Sequence, residues 1–324
     1  MSPRVNALFF SCLCAAILTL PAATPRAQNA PQTTPTWTDT LEKIRQTGKI
    51  TISYRLANIP FSYLDSGQSP AGYAKDLCDR VVETIKAKYD LPGLATIYYP
   101  VNAENRMPAL RDGMVDLDCG STTNNHERRK DANFSITYFV SNIRMLTRKD
   151  HGINDFSDLA GKTVVVTKGT TAEKILREKV DLDALHIKVL YGKTHSDSFL
   201  IVRSGRAQAY VTDDILLAGL IASSSDTHGA YQIVGPSLSS EHYAVMMRKG
   251  DGRLKALVDA ALKELIASGE AARLYAHWFM NPIPPNGIAL NLPMSAELQQ
   301  AFARPTDAGG DQTLMATDTQ TPSQ

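Results

Sequence analysis

The sequence predicts an α/β protein with two lobes, each built around a mainly parallel sheet. Short segments rich in β-branched residues alternate with longer segments whose apolar side chains recur at helical spacing, an order typical of strands joined by crossover helices. This alternation runs through two separate series along the chain. A length of 324 residues, with 43% hydrophobic and 21% charged residues, is sufficient for two such lobes.

The first series contains one clear strand and one clear long helix. Residues 50–54 alternate apolar and polar side chains, which is the period of a strand. Residues 72–89 carry Leu77, Val81 and Ile85 at the spacing of one helical face. Read in this way, the first series predicts helices over 40–46, 72–89 and 106–113 and strands over 50–54, 94–100 and 114–119.

The second series begins with a turn and short helix at 155–161. Residues 163–167 form a β-branched run that predicts a strand. The series ends near residue 280 with a long, mostly helical segment. The second series predicts strands over 163–167, 187–191, 209–212 and 244–248 and helices over 172–180, 196–204, 214–223 and 252–280.

The two series are separated near residues 142–149 and rejoined near 237–243, which predicts two chain crossings between the lobes. Ahead of the first series lies a polar stretch rich in Pro, Thr and Gln, and the chain ends in small polar residues typical of disorder. The predicted organisation is a signal peptide at 1–27, a linker at 28–40, one lobe at 41–141 and 244–303, a second lobe at 142–243 and a disordered tail at 304–324.

The N-terminus has the pattern of a secretory signal. Arg4 is the only charged side chain before an apolar run over 7–23, and small residues follow that run. An uncleaved membrane anchor is the alternative, although an apolar run of this kind is shorter than a full span. We expect export of the chain, with cleavage between residues 23 and 31.

The exported part of the chain retains two cysteines, Cys78 and Cys119. An oxidising compartment favours a disulfide between them. The sequence does not fix the separation of their Cα atoms, and two buried thiols would pack as small apolar side chains. Both arrangements stay open at this point.

The composition and the short motifs argue against several classes of function. Lys and Arg total 34 and Asp and Glu total 33, so a net charge of +1 gives no basic surface for nucleic acid. The chain lacks G-x-S-x-G, G-x-G-x-x-G and H-E-x-x-H, and its seven histidines have no metal-ligand spacing. We therefore expect no catalytic residue, no metal and no cofactor.

Polar and charged side chains collect just after the predicted strands. In open α/β sheets this is where ligands bind, because the carboxyl ends of parallel strands meet at one edge. Each residue also has a simpler interpretation, since Thr123 or the Gly-Thr-Thr turn before residue 172 could serve only to cap a helix. The candidate ligand-binding residues are Arg55, Arg106, Ser121, Thr123, Arg128, Thr170, Thr171, His195 and Asp213.

The charges of these candidates indicate the kind of ligand. Arg55, Arg106 and Arg128 supply three guanidinium groups suited to carboxylates, and Asp213 supplies one negative acceptor. A ligand with two carboxylates and one ammonium matches this set. Burying an arginine without a counter-charge costs several kcal/mol or more, so a closed site with three arginines requires an anionic partner.

Several long motifs of the chain resemble the periplasmic amino-acid-binding proteins of ABC importers, solute-binding protein family 3. The similarity extends from Leu41 to Phe302 and is closest to the members that bind glutamate and aspartate. It implies the type II periplasmic binding fold, in which two α/β lobes joined by a two-strand hinge close on a ligand. The motifs are IPFSY, GYAKDLC, NRMPAL, DCGSTTNNHERRKDANFS, FSDLAGKTVVVTKGTTAE, SGRAQAYVTDDILLAG and NPIPP.

The resemblance also implies roles for individual residues. Ser121 and Arg128 match the pair that holds the α-carboxylate of the ligand, and Asp213 matches the acceptor of its α-ammonium. Thr123 and Thr171 match hydroxyl groups that add hydrogen bonds.

Residues at the other end of the implied site determine the acidic ligand. Arg55, Arg106 and His195 match groups placed around the side-chain carboxylate in the acidic-ligand members. Ala57 and Ala103 stand where close relatives have serines, which affects the expected ligand size or affinity rather than the ligand class.

The resemblance implies a periplasmic protein without enzymatic activity that captures L-glutamate or L-aspartate and delivers it to an ABC transporter permease. Three alternatives remain open. The ligand could be glutamine, asparagine or another polar amino acid, although a neutral side chain would leave two arginines without a counter-charge. The same fold could carry a dehydratase of the prephenate or arogenate type. A sensor without a transport role is the third alternative.

Overall fold

The structure is a computed structural model that describes four ranges of the chain, residues 39–181, 184–224, 229–287 and 289–310. The predicted signal peptide, almost all of the predicted linker and residues 311–324 of the predicted tail lie outside these ranges. Within them, no helix is long and apolar enough to cross a membrane.

The described ranges contain helices and strands in alternating order. The helices are α1 Thr40–Thr47, α2 Tyr73–Tyr89, α3 Arg106–Arg111, α4 Thr171–Lys179, α5 His195–Arg203, α6 Asp214–Ser223, α7 Gly252–Ala267, α8 Glu270–Tyr275 and α9 Ala296–Ala303. The strands are β1 Lys49–Tyr54, β2 Ala57–Asn58, β3 Ser62–Leu64, β4 Pro70–Ala71, β5 Ala95–Pro100, β6 Leu117–Asp118, β7 Ala132–Phe134, β8 Phe139–Arg148, β9 Thr163–Thr167, β10 Lys188–Gly192, β11 Ala209–Asp213, β12 Tyr231–Val234, β13 Ser240–Tyr243 and β14 Met246–Arg248.

Two sheets divide the strands between two lobes. The first sheet has the order β5-β1-β6-β14-β7, with β1 parallel to both β5 and β6 and with β14 antiparallel to its neighbours. The second sheet has the order β10-β9-β11-β8-β12, with β9 parallel to β10 and β11. Parallel strands therefore end at the same edge of each sheet, where a ligand can bind.

Strands β8 and β13 connect the lobes and form a two-stranded hinge. Residues Phe139 to Asn142 of β8 pair antiparallel with β13, and the remainder of β8 pairs with β11 and β12 of the second sheet. The chain leaves the first sheet after β7 and returns to it in β14, so it crosses twice. This is the two-lobed α/β arrangement that the sequence predicts, while the limits of the lobes at 41–141 plus 244–303 and 142–243 stay a prediction.

The packing explains why the strands of the second lobe are so rich in valine. Val164 and Val166 of β9 face one apolar cluster, whereas Val165 between them faces another. Both faces of this strand are therefore buried, and β-branched side chains suit both. At the hinge, Phe139 and Tyr243 stack at 5.7 Å between ring centroids and join the core of the first lobe.

Cys78 of α2 and Cys119, which follows β6, are joined by a disulfide with their Cα atoms 6.4 Å apart. Of the two arrangements left open by the sequence, the structure contains the disulfide. The bond fixes the chain directly ahead of Gly120 and Ser121, where the candidate site begins.

The segment 304–310, which we call the C-terminal strap, differs from the expectation of disorder from residue 304 onward. The backbone N–H of Thr137 donates to the carbonyl of Thr306 at 3.0 Å, and Asn124 Nδ2 donates to the carbonyl of Asp307 at 2.7 Å. Lys255 also pairs with the Asp307 carboxylate at 2.8 Å. Small polar residues suggest disorder by composition, but these contacts hold the strap against the first lobe.

Candidate functional site

Three of the predicted site residues, Arg55, Arg106 and His195, line one cavity between the lobes together with Thr167, which was not predicted. Arg55 directly follows β1 and Arg106 opens α3, while Thr167 ends β9 and His195 opens α5. All four line a cavity of about 430 Å³. The position of each at the carboxyl end of a strand, or at the start of the following helix, accounts for their convergence.

Arg55 is committed to a buried ion pair. Its two terminal nitrogens donate to the Asp118 carboxylate at 2.9 and 3.2 Å, and its side chain is 3% exposed. Burial raises the pKa of Asp118, but the guanidinium groups of Arg55 and Arg106 outweigh it and bring that pKa to about 2. The positive charge of Arg55 is therefore largely balanced within the protein, which the sequence did not predict.

Arg106 has no such partner among the residues that the structure describes. Its Nη1 donates to Thr122 Oγ1 at 3.0 Å and to the carbonyl of Ser121 at 3.4 Å, and its Nε has no partner. Burial, reinforced by the charges of Arg128 and Arg55, lowers the pKa of Arg106 well below its usual value. A guanidinium held in this way is poised to bind an anion from outside the chain.

His195 lies opposite these arginines and is neutral. Burial, together with the charges of Arg106 and Arg55, lowers its pKa to about 3. Its Nδ1 lies 2.6 Å from the Tyr210 hydroxyl. With Tyr210 donating to Nδ1, the proton of the ring is placed on Nε2, and His195 can then donate a hydrogen bond to a carboxylate without adding charge.

Ser121 and Arg128 belong to the segment that follows β6. Asn58 Nδ2 donates to Ser121 Oγ at 2.9 Å, which leaves the hydroxyl proton of Ser121 available to an acceptor. Arg128 Nη1 donates to the carbonyl of Thr123 at 3.0 Å, and its Nη2 donates across to the carbonyl of Gly169 at 3.3 Å. Arg128 therefore contacts both lobes.

Thr170 differs from the other candidates because the structure uses it as a helix cap. Its hydroxyl donates to the carbonyl of Thr167 at 2.7 Å and accepts from the N–H of Glu173 at 3.3 Å. Both hydrogen-bonding functions of this hydroxyl serve the start of α4. This is the capping interpretation of the Gly-Thr-Thr turn, and it leaves Thr171 as the threonine of this turn that points into the site.

Thr123 and Thr171 both bind Glu241, a residue of β13 that was not predicted from the sequence. Each threonine hydroxyl donates to Glu241 Oε2 at 2.6 Å, although one threonine belongs to the first lobe and the other to the second. Ser239 donates to the other carboxylate oxygen. Glu241 is 2% exposed, so a buried carboxylate stands between the two lobes.

Asp213 ends β11 at the start of α6 and is 5% exposed. Its Oδ1 is buried and has no partner among the described residues. Burial, together with the negative charges of Glu241 and Asp214, raises its pKa to about 8. A carboxyl group in this state gains most from a cation that binds beside it.

Two glycines of the second lobe lie against backbone of the first. A Cβ atom at Gly219 of α6 would lie 2.3 Å from the carbonyl oxygen of Ile59. A Cβ atom at Gly169 would lie 2.8 Å from the carbonyl oxygen of Ala103. The absence of a side chain at both positions permits the close approach of the lobes around the site.

The structure adds two charged residues to the predicted site. The three predicted arginines and Asp213 are joined by two buried carboxylates, Asp118 and Glu241. Thr122 was also missed, although its hydroxyl accepts from both Arg55 and Arg106 and donates to Asp118. A polar residue inside a predicted strand, as Asp118 is, was the one available signal.

The chain is similar to known binding proteins over most of its length. The L-glutamate/L-aspartate-binding protein of Pseudomonas aeruginosa is 42% identical over 285 residues, which cover 88% of this chain and 94% of that protein. The glutamate/aspartate import solute-binding protein of Escherichia coli is 40% identical over 292 residues, which cover 90% of this chain and 96% of that protein. Both relatives are named for binding and not for a reaction.

Solved structures and a family description agree with these relatives. The ancestral amino acid-binding protein AncCDT-1, a precursor of cyclohexadienyl dehydratase, matches with a TM-score of 0.64 at 27% identity and covers 74% of this chain and 99% of that one. The two-lobed fold that the resemblance implies is thereby confirmed. Residues 50–281 match the description "Bacterial extracellular solute-binding proteins, family 3". The chain therefore belongs to family 3 of the bacterial extracellular solute-binding proteins.

Proposed function

We propose that this protein captures L-glutamate and L-aspartate by closure of its two lobes and delivers them to the permease of an ABC importer. The buried, unpaired guanidinium of Arg106 is the observation that carries the proposal. It lies in the cavity with His195, a neutral donor, and with the paired Arg55. The side-chain carboxylate of an acidic amino acid supplies the charge that this end of the cavity lacks.

The other half of the site suits the head group of an amino acid. Ser121 has a free hydroxyl proton and Arg128 a guanidinium for the α-carboxylate, and Asp213 has an unpartnered oxygen for the α-ammonium. Because Arg128 contacts both lobes, a ligand held there favours the closed state over the open one. The relatives named above for glutamate and aspartate support the same ligand class.

The proposal includes export to the periplasm through a cleaved signal peptide at residues 1–27. The pattern of Arg4, the apolar run and the small residues supports it, and the family is described as extracellular. Mass spectrometry of the protein isolated from the periplasm should give a mature N-terminus between residues 23 and 31. A mature chain that keeps Met1 would contradict this part of the proposal.

Thermal unfolding with single amino acids tests the ligand class. A ligand at 100 times its dissociation constant adds about 2.7 kcal/mol, which should raise the midpoint of a protein of this size by a few degrees. L-glutamate and L-aspartate should do so, and L-glutamine and L-asparagine should not. The reverse pattern would overturn the acidic-ligand assignment.

Arg106→Gln tests the observation that carries the proposal. Removal of one charge-assisted contact in a desolvated site should cost about 2–5 kcal/mol, so the affinity for L-glutamate should fall by roughly 30-fold to 5,000-fold. Any weak binding of L-glutamine should not fall with it. Arg111→Gln, in the same helix but on its exposed side, is the matched control and should bind L-glutamate as the unchanged protein does. Equal losses for both ligands in Arg106→Gln would show that Arg106 does not contact the ligand side chain.

A further inference from the structure

Glu241 is a buried carboxylate whose hydrogen-bond partners, among the described residues, are hydroxyl groups, while its charge partly offsets the effect of burial on the pKa of Arg128. Thr123 and Thr171 donate to its Oε2 at 2.6 Å each, and Ser239 donates to its Oε1. Glu241 is 2% exposed and lies on β13 of the hinge. Three hydrogen bonds from the protein therefore already satisfy this carboxylate without a ligand.

An ionised carboxylate can only accept hydrogen bonds, and this fixes the direction of both threonine bonds. A hydroxyl has one proton and two lone pairs. Thr123 and Thr171 each direct their single proton to Glu241, and charge-assisted bonds of this length are strong. Only lone pairs then remain on both threonine oxygens, which can therefore accept from a ligand but cannot donate to it.

Asp213 supplies a further acceptor in the same part of the site. Its Oδ1 is buried and without a partner among the described residues. Asp213 pairs with Ile143 of β8, and Glu241 pairs with Ser141, two residues earlier on the same strand. Because Glu241 also binds both threonines, the acceptors lie along one stretch of the hinge. An ammonium group has three N–H donors, and the three oxygens match it in number and in polarity.

We propose that Glu241 is a positioning residue that turns Thr123 and Thr171 into acceptors and so makes the site select an α-ammonium over an α-hydroxyl group. The inference rests on the proposed function, because it concerns the head group of the amino acid captured there. Ser121 differs from the two threonines, because Asn58 donates to its oxygen and its own hydroxyl proton stays available to the ligand carboxylate.

The selection depends on lobe closure as well. Thr123 follows β6 of the first lobe, and Thr171 opens α4 of the second. Both reach one oxygen of a hinge residue in this structure. Movement of the second lobe away from the hinge would release the proton of Thr171, so the preference for an ammonium is fully formed in the closed state.

Isothermal titration with L-glutamate and with 2-hydroxyglutarate, which replaces the ammonium by a hydroxyl, tests the proposal. Glu241→Ala should lower the affinity for L-glutamate by at least about tenfold, since two oriented acceptors of a charged group are lost. The affinity for 2-hydroxyglutarate should fall less or rise, because the freed threonine hydroxyls can donate to it. The ratio of the two affinities should therefore shrink by about tenfold or more.

Glu241→Gln separates the orientation of the hydroxyls from the charge. The amide oxygen of glutamine still accepts from both threonines, so the ratio should stay close to that of the unchanged protein while both affinities change together. Glu83→Gln, an exposed carboxylate of α2 with a side chain 60% exposed, is the matched control and should leave both affinities within about twofold.

Thr171→Val keeps the test decisive if Glu241→Ala does not fold. Loss of this hydroxyl should lower the affinity for L-glutamate more than that for 2-hydroxyglutarate. If Glu241→Ala or Thr171→Val lowers the two affinities by the same factor, the proposal is overturned and Glu241 is a purely structural residue. If the unchanged protein binds L-glutamine more tightly than L-glutamate, the acidic-ligand assignment is refuted. The role of Glu241 is then decided by the same comparison made with L-glutamine and its 2-hydroxy analogue.

Discussion

At the scale of single residues, Arg55 and Arg106 differ in role although their chemistry is the same. Arg55 is paired with Asp118, whereas Arg106, among the residues that the structure describes, binds only a hydroxyl and a carbonyl. Both follow predicted strands, so position at a strand end identified them equally well. The difference arises because Asp118 of the neighbouring strand β6 reaches Arg55, and the order of strands in a sheet is not contained in the local sequence pattern.

The raised pKa of Asp213 predicts that the stability of the protein depends on pH. Its pKa is about 8 in the folded protein and is raised from an ordinary value of 3.8. Between these pH values the folded state keeps a proton that the unfolded state has lost, so this group makes the free energy of unfolding fall as pH rises from about 4 to about 8. Asp213→Asn should remove this contribution, measured by denaturant unfolding across that range, while Asp112→Asn on the exposed surface should not.

The same carboxyl group couples ligand binding to proton release. An ammonium favours the ionised form of Asp213, so the affinity for L-glutamate should rise with pH between about 6 and 8, by up to tenfold per unit. Titration calorimetry in two buffers that differ in ionisation enthalpy measures the protons released. Constant affinity without proton release would mean that Asp213 is already ionised before the ligand binds.

Glu241 was missed because it does not directly follow a predicted strand. The segment Ser-Ser-Glu-His-Tyr has neither the apolar alternation of a buried strand nor a helical period, and it was read only as part of a crossover. Its burial comes from pairing with β8 at the hinge. Residues that become buried through long-range pairing of this kind leave little signal in their own neighbourhood.

At the scale of elements, helix α6 depends on Gly219 for its contact with the first lobe. An alanine there would place its Cβ 2.3 Å from the carbonyl oxygen of Ile59. Alanine also favours a helix interior by about 1 kcal/mol over glycine. Gly219→Ala should therefore leave the second lobe as stable as before or more so, while it prevents full closure and lowers the affinity for L-glutamate by at least about tenfold.

Solution scattering and titration calorimetry distinguish these two effects. The variant should remain extended when L-glutamate is added, whereas the unchanged protein should become more compact. Gly252→Ala, at the start of α7, is the matched control because a Cβ there meets no atom within 4 Å. Full compaction of Gly219→Ala at normal affinity would contradict the role given to this glycine.

The elements that the sequence predicted were those with a strong local period. Strands β1 and β9 and helices α2 and α6 lie close to their predicted positions. Strand β8 was not predicted because Ser141, Asn142 and Arg144 interrupt its apolar residues at the hinge. Helix α9 was missed because it is short and follows a Pro-rich stretch. Long-range pairing and packing, and not local propensity, stabilise both.

At the scale of the whole molecule, the Cys78–Cys119 disulfide should contribute to global stability. It joins residues 41 positions apart in the sequence. The chain-entropy relation gives about 4 kcal/mol for a loop of that length. Reduction, or the double variant Cys78→Ala and Cys119→Ala, should lower the midpoint of thermal unfolding by roughly 10 °C.

Calorimetry of the oxidised and reduced protein, with free thiols counted by mass spectrometry, checks this prediction. The single variant Cys78→Ala separates loss of the bond from loss of packing, because it removes the bond but keeps Cys119. An unchanged midpoint, with both thiols shown to be free, would mean that the cross-link does not restrict the unfolded chain as expected.

The C-terminal strap has a practical consequence for anyone who attaches a reporter or an affinity tag to this protein. The strap contacts Asn124, and Arg129 donates to the carbonyl of Ala308 at 2.8 Å, so it supports the segment that carries Thr123 and Arg128 from behind. A fusion joined at residue 303 would replace this support. A fusion joined after Gly310 would keep it, so a domain attached there leaves the contacts behind Thr123 and Arg128 in place.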